Sequence, residues 1–202
     1  MIQNIVFDLG RVLVNFQPEE LLEQIFSDPD DADELNRIVF KSAEWLMLDR
    51  GVINNEEAKE RLANQHPEWA NEIQVVLDSW FPILTPIESS VELVQMFKEQ
   101  GHGLYVISNF HRAAFDYIYS QYEWLQLFDG IVLSCDTKSL KPEPHIYETL
   151  LKTEKLVPGE CLFIDDAPAN VEGARQAGMH AVQYISPAQI RRNLKEQFKL
   201  LP

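Results

Sequence analysis

Two short, mostly apolar runs far apart in the chain each end in carboxylates: Ile2–Phe7 leads into Asp8, and Cys161–Ile164 leads into Asp165 and Asp166. Runs of this length and composition read as strands buried in a parallel sheet whose faces are covered by helices. In such a sheet the carboxyl ends of the strands open into one crevice, where ligands bind. Three acids meeting there repel one another unless a cation or protons neutralise them. The pattern predicts a cation-assisted site, most simply for Mg²⁺ and a phosphate group.

The chain from Ser89 onward alternates helix and strand. Helices are expected at 91–99, 112–122, 144–155 and 169–177, and strands at 104–107, 131–133, 161–164 and 180–183. Repeated β-α-β units of this kind give a doubly wound parallel sheet. Residues 17–85 break the rhythm with helical patterns only, at 19–26, 32–48, 56–64 and 70–80. The fold class expected is therefore α/β, with a Rossmann-like core formed by residues 1–16 and 86–202. A helical cap, residues 17–85, is inserted after the first strand and is placed to act as a lid. Three of the four tryptophans (Trp45, Trp69, Trp80) lie in it, either as its core or as a surface for self-association. A monomer or a small homo-oligomer is expected.

With a formal net charge of −15 and no basic cluster beyond Arg191-Arg192, nucleic acid and anionic membrane surfaces are excluded as partners. The two cysteines, Cys135 and Cys161, have no metal-binding spacing and are expected to be reduced. Without a leader-like segment or a long apolar run, the expected location is cytoplasmic.

Four segments then stand out in order: Asp8-Leu9-Gly10, Ser108-Asn109, Lys141-Pro142 and Asp165-Asp166. Together they resemble the four motifs of the haloacid dehalogenase-like hydrolase superfamily, in its helical-cap branch. The segments 7–13 and 140–144 look like a bacterial group that includes a hexose-1-phosphate phosphatase. The resemblance implies a Mg²⁺-dependent phosphatase for a small phosphorylated metabolite, a sugar phosphate first among them. Asp8 would be the nucleophile, forming an aspartyl-phosphate that water hydrolyses. Mg²⁺ would be held by Asp8, Asp166 and the Gly10 carbonyl, with Asp165 a ligand or acting through water. Ser108 and Asn109 would bind phosphate oxygens, with Arg11 beside them, and Lys141 would neutralise charge on Asp8 and the phosphoryl group. Asn170 would orient a metal-bound water or the lysine.

One position departs from the pattern. Most phosphatases of this family carry a second Asp two residues after the nucleophile, which protonates the leaving oxygen; here that position is Gly10. Losing such a group costs about two to four orders of magnitude in rate. Either another group, for instance from the lid, takes over, or the leaving group is good enough to need no help, or the protein binds phosphate with weak or lost catalysis. A metal-free 2-haloacid dehalogenase is a further alternative, against which the Asp165-Asp166 pair argues. The resemblance also implies a substrate-selecting loop at Asp49-Arg50-Gly51, which spacing describes equally well as a glycine-capped helix end. His111 follows the second motif and fits a structural role as well as substrate contact.

Overall fold

The computed structural model describes residues 1–201. Five strands, β1 (Asn4–Phe7), β2 (Gly103–Ser108), β3 (Gly130–Leu133), β4 (Cys161–Asp165) and β5 (His180–Gln183), form one sheet in the order β3-β2-β1-β4-β5. Every pairing is parallel. The chain winds outward from β1 on one side and again on the other, so the switch in strand order falls between β1 and β4, where the crevice opens. Register then does the positioning: Phe7 pairs with Ile164 on one side and with Val106 on the other. One residue further along, Asp8 lies beside Asp165, with Ser108 at the end of the other neighbouring strand.

Five helices precede the second strand's own helix: α1 (Pro18–Ile25), α2 (Pro29–Leu35), α3 (Ala43–Arg50), α4 (Asn55–Gln65) and α5 (Ala70–Ser79). The remaining helices are α6 (Glu88–Glu99), α7 (Arg112–Gln121), the short α8 (Ser134–Thr137), α9 (Pro144–Thr153), α10 (Pro168–Gln176) and α11 (Pro187–Glu196). No strand lies between β1 and α6 among the described residues. Val6, Ile107 and Phe163 face one apolar cluster with Ile146, Leu150 and Val171 of α9 and α10. Ile5, Phe7 and Ile164 face the other, which includes α6 and runs without a break into the inserted helices. Both faces of the sheet are thus covered, as a doubly wound fold requires.

Two sequence expectations are corrected. The helix expected over 32–48 is split: α2 passes into a π-helical turn at Asn36–Phe40, and α3 starts afresh at Ala43. Ser42 causes the restart. Its hydroxyl accepts from the Trp45 N–H (3.0 Å) and donates to the Val39 carbonyl (2.7 Å), satisfying groups that a continuous helix would have paired. The break brings the rings of Phe40 and Trp45 to 4.7 Å. Helix α11 was not anticipated; Ser186 caps it and Ile190 and Leu194 anchor it in the core. Of the alternatives for the tryptophans, the structure favours an interior: Trp45 and Trp80 are buried, and Trp69 packs partly buried against the same cluster.

Helix α3 ends on Gly51 in the left-handed region (φ 69°), with Gly51 N–H bonded to the Leu48 carbonyl and Val52 N–H to that of Met47. A Cβ at this position would meet the Cys135 carbonyl oxygen at 2.4 Å. Gly51→Ala therefore suffers from both backbone conformation and contact with the core. It is expected to destabilise the protein by about 1–3 kcal/mol in urea unfolding. Gly159→Ala, where a Cβ meets nothing within 4 Å, serves as the neutral control.

Candidate active site

Asp8 emerges from β1 with only 7% of its surface exposed. Its Oδ1 accepts hydrogen bonds from the Leu9 N–H at 2.7 Å and the Ser108 hydroxyl at 2.6 Å, and forms an ion pair with Lys141 Nζ at 2.7 Å. Oδ2 has no protein partner among the described residues. One oxygen is thus fixed, and the other is left for a ligand or for attack.

Lys141 is 4% exposed and spans the crevice. Besides Asp8, its ammonium donates to Asp165 Oδ2 at 2.6 Å and to the Ile107 carbonyl at 3.1 Å. Three acceptors satisfy its three donors. Burial works against the ammonium, yet Asp8 and then Asp165 outweigh it and hold the pKa above lysine's ordinary value. The two carboxylates thus favour the charged form of the lysine.

Asp165 is fully buried. Its Oδ1 accepts from the Ala167 N–H (2.8 Å) and Asn170 Nδ2 (3.0 Å), its Oδ2 from Lys141 and again Asn170 (3.1 Å). A carboxylate has about four acceptor sites, and all are in use. The sequence placed Asp165 as a cation ligand or as acting through water; the geometry adds that it is the carboxylate holding Lys141. Asn170 holds Asp165 in turn, so it acts on the lysine at one remove.

Asp166 is only partly buried, and no cation pairs with it among the described residues. Burial and then the charge of Asp165 push its carboxyl above the usual range, against weaker pulls from Arg11 and Lys141. Asp8 is pushed up to about 7, by burial first, with Lys141 pulling down and Asp165 pushing further up. One oxygen from each of Asp8, Asp165 and Asp166 lies within 4.8 Å of the others. Three carboxylates share one ammonium, so the cluster lacks positive charge. The Gly10 carbonyl accepts no hydrogen bond from the described residues. The free oxygen of Asp8, Asp166 and this carbonyl make an all-oxygen donor set that suits Mg²⁺ and leaves room for water and phosphate.

The second motif divides its labour. Asn109 was expected to bind phosphate through its backbone N–H, and its side chain adds a second task, bracing the lysine's backbone: Oδ1 accepts from the Lys141 N–H at 2.7 Å and Nδ2 donates to the Lys141 carbonyl at 3.2 Å. Its own N–H has no acceptor among the described residues and remains available to a ligand. Arg11 does not reach the cavity. Its backbone is left-handed (φ 59°), Nε donates to the Phe16 carbonyl at 3.2 Å, and the guanidinium sits 5.7 Å from the Phe16 ring centre. The expectation that it binds phosphate is not what the structure shows.

Above Asp8 lies a cavity of about 80 Å³. Asp8, Gly10, Ser108 and Asn109 form its floor; Phe16, Trp45, Asp49, Trp80 and His111 close it. Such a volume holds a few waters or one small anion, well short of the ~300–1,000 Å³ that encloses a whole ligand. His111 stacks on Trp80 (4.9 Å, 15°), and burial pushes its imidazole down to about 4, so it is neutral at physiological pH. His111 also borders a second cavity of about 450 Å³ between α3, α4 and α7.

Asp49 was expected either in a substrate-selecting loop or at a glycine-capped helix end; the structure shows the helix end and adds a place for the side chain. Its carboxyl shares the cavity with Asp8 and is pushed up to about 7, by burial and then by Asp8's charge, against Lys141. The backbone around it is fastened to the core. Ser134 Oγ donates to the Asp49 carbonyl, Arg50 pairs with Glu143 and donates to the Lys138 carbonyl, and Lys138 Nζ donates to the Gly51 carbonyl.

Residues 2–178 match the haloacid dehalogenase-like hydrolase family, and the chain belongs to it. It is a hydrolase of the α/β class. A sesquiterpene phosphatase of Aspergillus oryzae, astK, is 29% identical over 175 residues, 86% of this chain and 85% of its own. A D-ribitol-5-phosphate phosphatase of Bacteroides thetaiotaomicron is 22% identical over 96% of this chain and 97% of its own. A solved HAD-family enzyme from the same bacterium, in complex with magnesium and inorganic phosphate, superposes with a TM-score of 0.72 at 22% identity, covering 91% and 94% of the two chains. No helix is long and apolar enough to cross a membrane among the described residues.

Proposed function

We propose that this protein is a Mg²⁺-dependent phosphomonoesterase acting on a small phosphorylated metabolite, a sugar phosphate first among the candidates. The observation that carries the reading is the Asp8–Lys141–Asp165 chain of contacts beneath a cavity of phosphate size. Asp8 is the nucleophile, attacking phosphorus in line and giving an aspartyl-phosphate. Lys141 neutralises charge on Asp8 before attack and on the phosphoryl oxygens during it. The Ser108 hydroxyl turns from Asp8 to a phosphate oxygen, and the free Asn109 N–H binds another. Asp8, Asp166 and the Gly10 carbonyl would hold Mg²⁺, which supplies positive charge against the phosphoryl oxygens. Asp165 and Asn170 keep the lysine in place.

The helices at 17–85 form the cap, and its aromatic wall excludes water from the phosphate. The cavity beyond His111 provides room for the rest of the substrate. The relatives named for ribitol 5-phosphate and sesquiterpene phosphates support phosphomonoester hydrolysis and differ in the alcohol released. A metal-free dehalogenase is disfavoured by Asp166, a carboxylate without a cation partner in the path of an anionic substrate.

The reading is tested by phosphate release from sugar phosphates, polyol phosphates and isoprenoid monophosphates, with Mg²⁺ or with EDTA. Turnover is expected with Mg²⁺ and should vanish in EDTA. Asp166→Asn should raise the Mg²⁺ concentration needed for half-maximal rate. Halide release from 2-haloacids with no phosphate release from any ester would overturn it.

A further inference from the structure

We propose that Asp49, reaching down from the cap, is the proton donor and acceptor that replaces the carboxylate missing at position 10. The inference rests on the phosphatase reading above and adds the residue that reading lacks.

The argument is one of position. A leaving oxygen in line with Asp8 lies on the opposite side of the phosphorus, toward the roof of the cavity. Among the described residues, the roof offers two titratable side chains, Asp49 and His111. His111 is neutral and sandwiched by the tryptophans, a poor acid. The Asp49 carboxyl has no hydrogen-bond partner among the described residues, so nothing already occupies its proton. It stands in the last turn of α3, where the helix's partial negative charge favours the protonated form. Burial and the facing Asp8 act in the same direction. The bonds from Ser134, Arg50 and Lys138 fix the backbone on both sides, so the carboxyl is placed by the core rather than by a free lid. General acids need this kind of preorganisation to be effective.

The step balances without any co-reactant. Asp8 Oδ forms a bond to phosphorus as the bond from phosphorus to the substrate oxygen breaks, and the Asp49 proton passes to that oxygen, releasing the alcohol. Water then attacks the phosphorus of the aspartyl-phosphate. Asp49, now a carboxylate, takes a proton from that water as the Asp8 bond breaks, and inorganic phosphate leaves with both acids restored.

The test is a series of substituted phenyl phosphates, from 4-nitrophenyl phosphate, whose leaving group needs no proton, to unsubstituted phenyl phosphate, whose leaving group does. Asp49→Asn is close to isosteric and should fold, with a melting temperature no lower than that of wild type. It should lower kcat on phenyl phosphate by ~10²-fold or more, with KM little changed, and on 4-nitrophenyl phosphate by less than ~10-fold. Adding Gly10→Asp should restore much of the loss, since a Cβ at Gly10 meets nothing within 4 Å. Equal losses across the series, a change confined to KM, or wild-type rates in Asp49→Asn would overturn the assignment while wild-type turnover upheld the phosphatase reading. A wild-type protein silent toward every phosphate ester would overturn both.

Discussion

Asp8→Asn is expected to abolish phosphate release, by ~10⁴-fold or more, and at the same time to raise the melting temperature of the metal-free protein above pH 7. The first effect follows from losing the nucleophile. The second follows from the direction of the Asp8 shift, from an ordinary 3.8 up to about 7. Folding favours the protonated carboxyl, so its stabilising contribution is complete below pH 3.8 and is lost as pH rises through about 7. Asparagine has no charge to bury and escapes that loss, while Lys141 keeps its pairing with Asp165. Melting curves in EDTA should therefore bring wild type and variant together in acid, separate them progressively as pH rises from 3.8 to about 7, and hold the gap constant above that. A wild-type protein that is the more stable at alkaline pH would contradict this account of the site's electrostatics.

Lys141→Met should give the largest loss of stability of any single substitution in the site, about 3–5 kcal/mol at pH 8 by urea unfolding. The methionine fits the volume, but Asp8 and Asp165 are left buried side by side with no counter-charge. Asp8 takes up a proton as pH falls, so the deficit should shrink in acid, the reverse of what a simple packing defect would show. Phosphate release should fall by about 10²–10³-fold or more as well, through lost stabilisation of the phosphoryl charge. A variant as stable as wild type at pH 8 would mean that the lysine contributes nothing to holding the crevice together.

The sheet and its strand-end acids were legible because the relevant signals are local. Apolar runs of four to six residues stopping at Asp8, Ser108 and Asp165 mark strand ends whatever surrounds them, and a parallel sheet brings such ends together. The roles proposed for Asp8, Lys141 and Asp166 came from motif order. What one-dimensional reasoning missed depends on contacts between distant segments. Nothing near Asn109 in the sequence shows that both ends of its side-chain amide engage the Lys141 backbone, 32 positions away. Arg11 looks well placed until its left-handed backbone delivers it to Phe16. Asp165 and Asp166 are neighbours in sequence, yet strand alternation gives one a saturated, buried setting and the other a partly open one. The split of the 32–48 helix had a readable signal in Ser42, but apolar periodicity outweighed it. Asp49 had a signal as part of a loop that the resemblance marks for substrate selection, but nothing local shows that its carboxyl shares a cavity with Asp8.

The central claim is that Asp8 carries the phosphoryl group. The most direct measurement is to quench turnover in acid with Mg²⁺ present and locate any covalent adduct by mass spectrometry of peptides. The account predicts one phosphoryl group on the peptide containing Asp8, absent in EDTA and absent in Asp8→Asn. Rapid steady turnover with that peptide unmodified, or a phosphoryl group found on another residue, would contradict it.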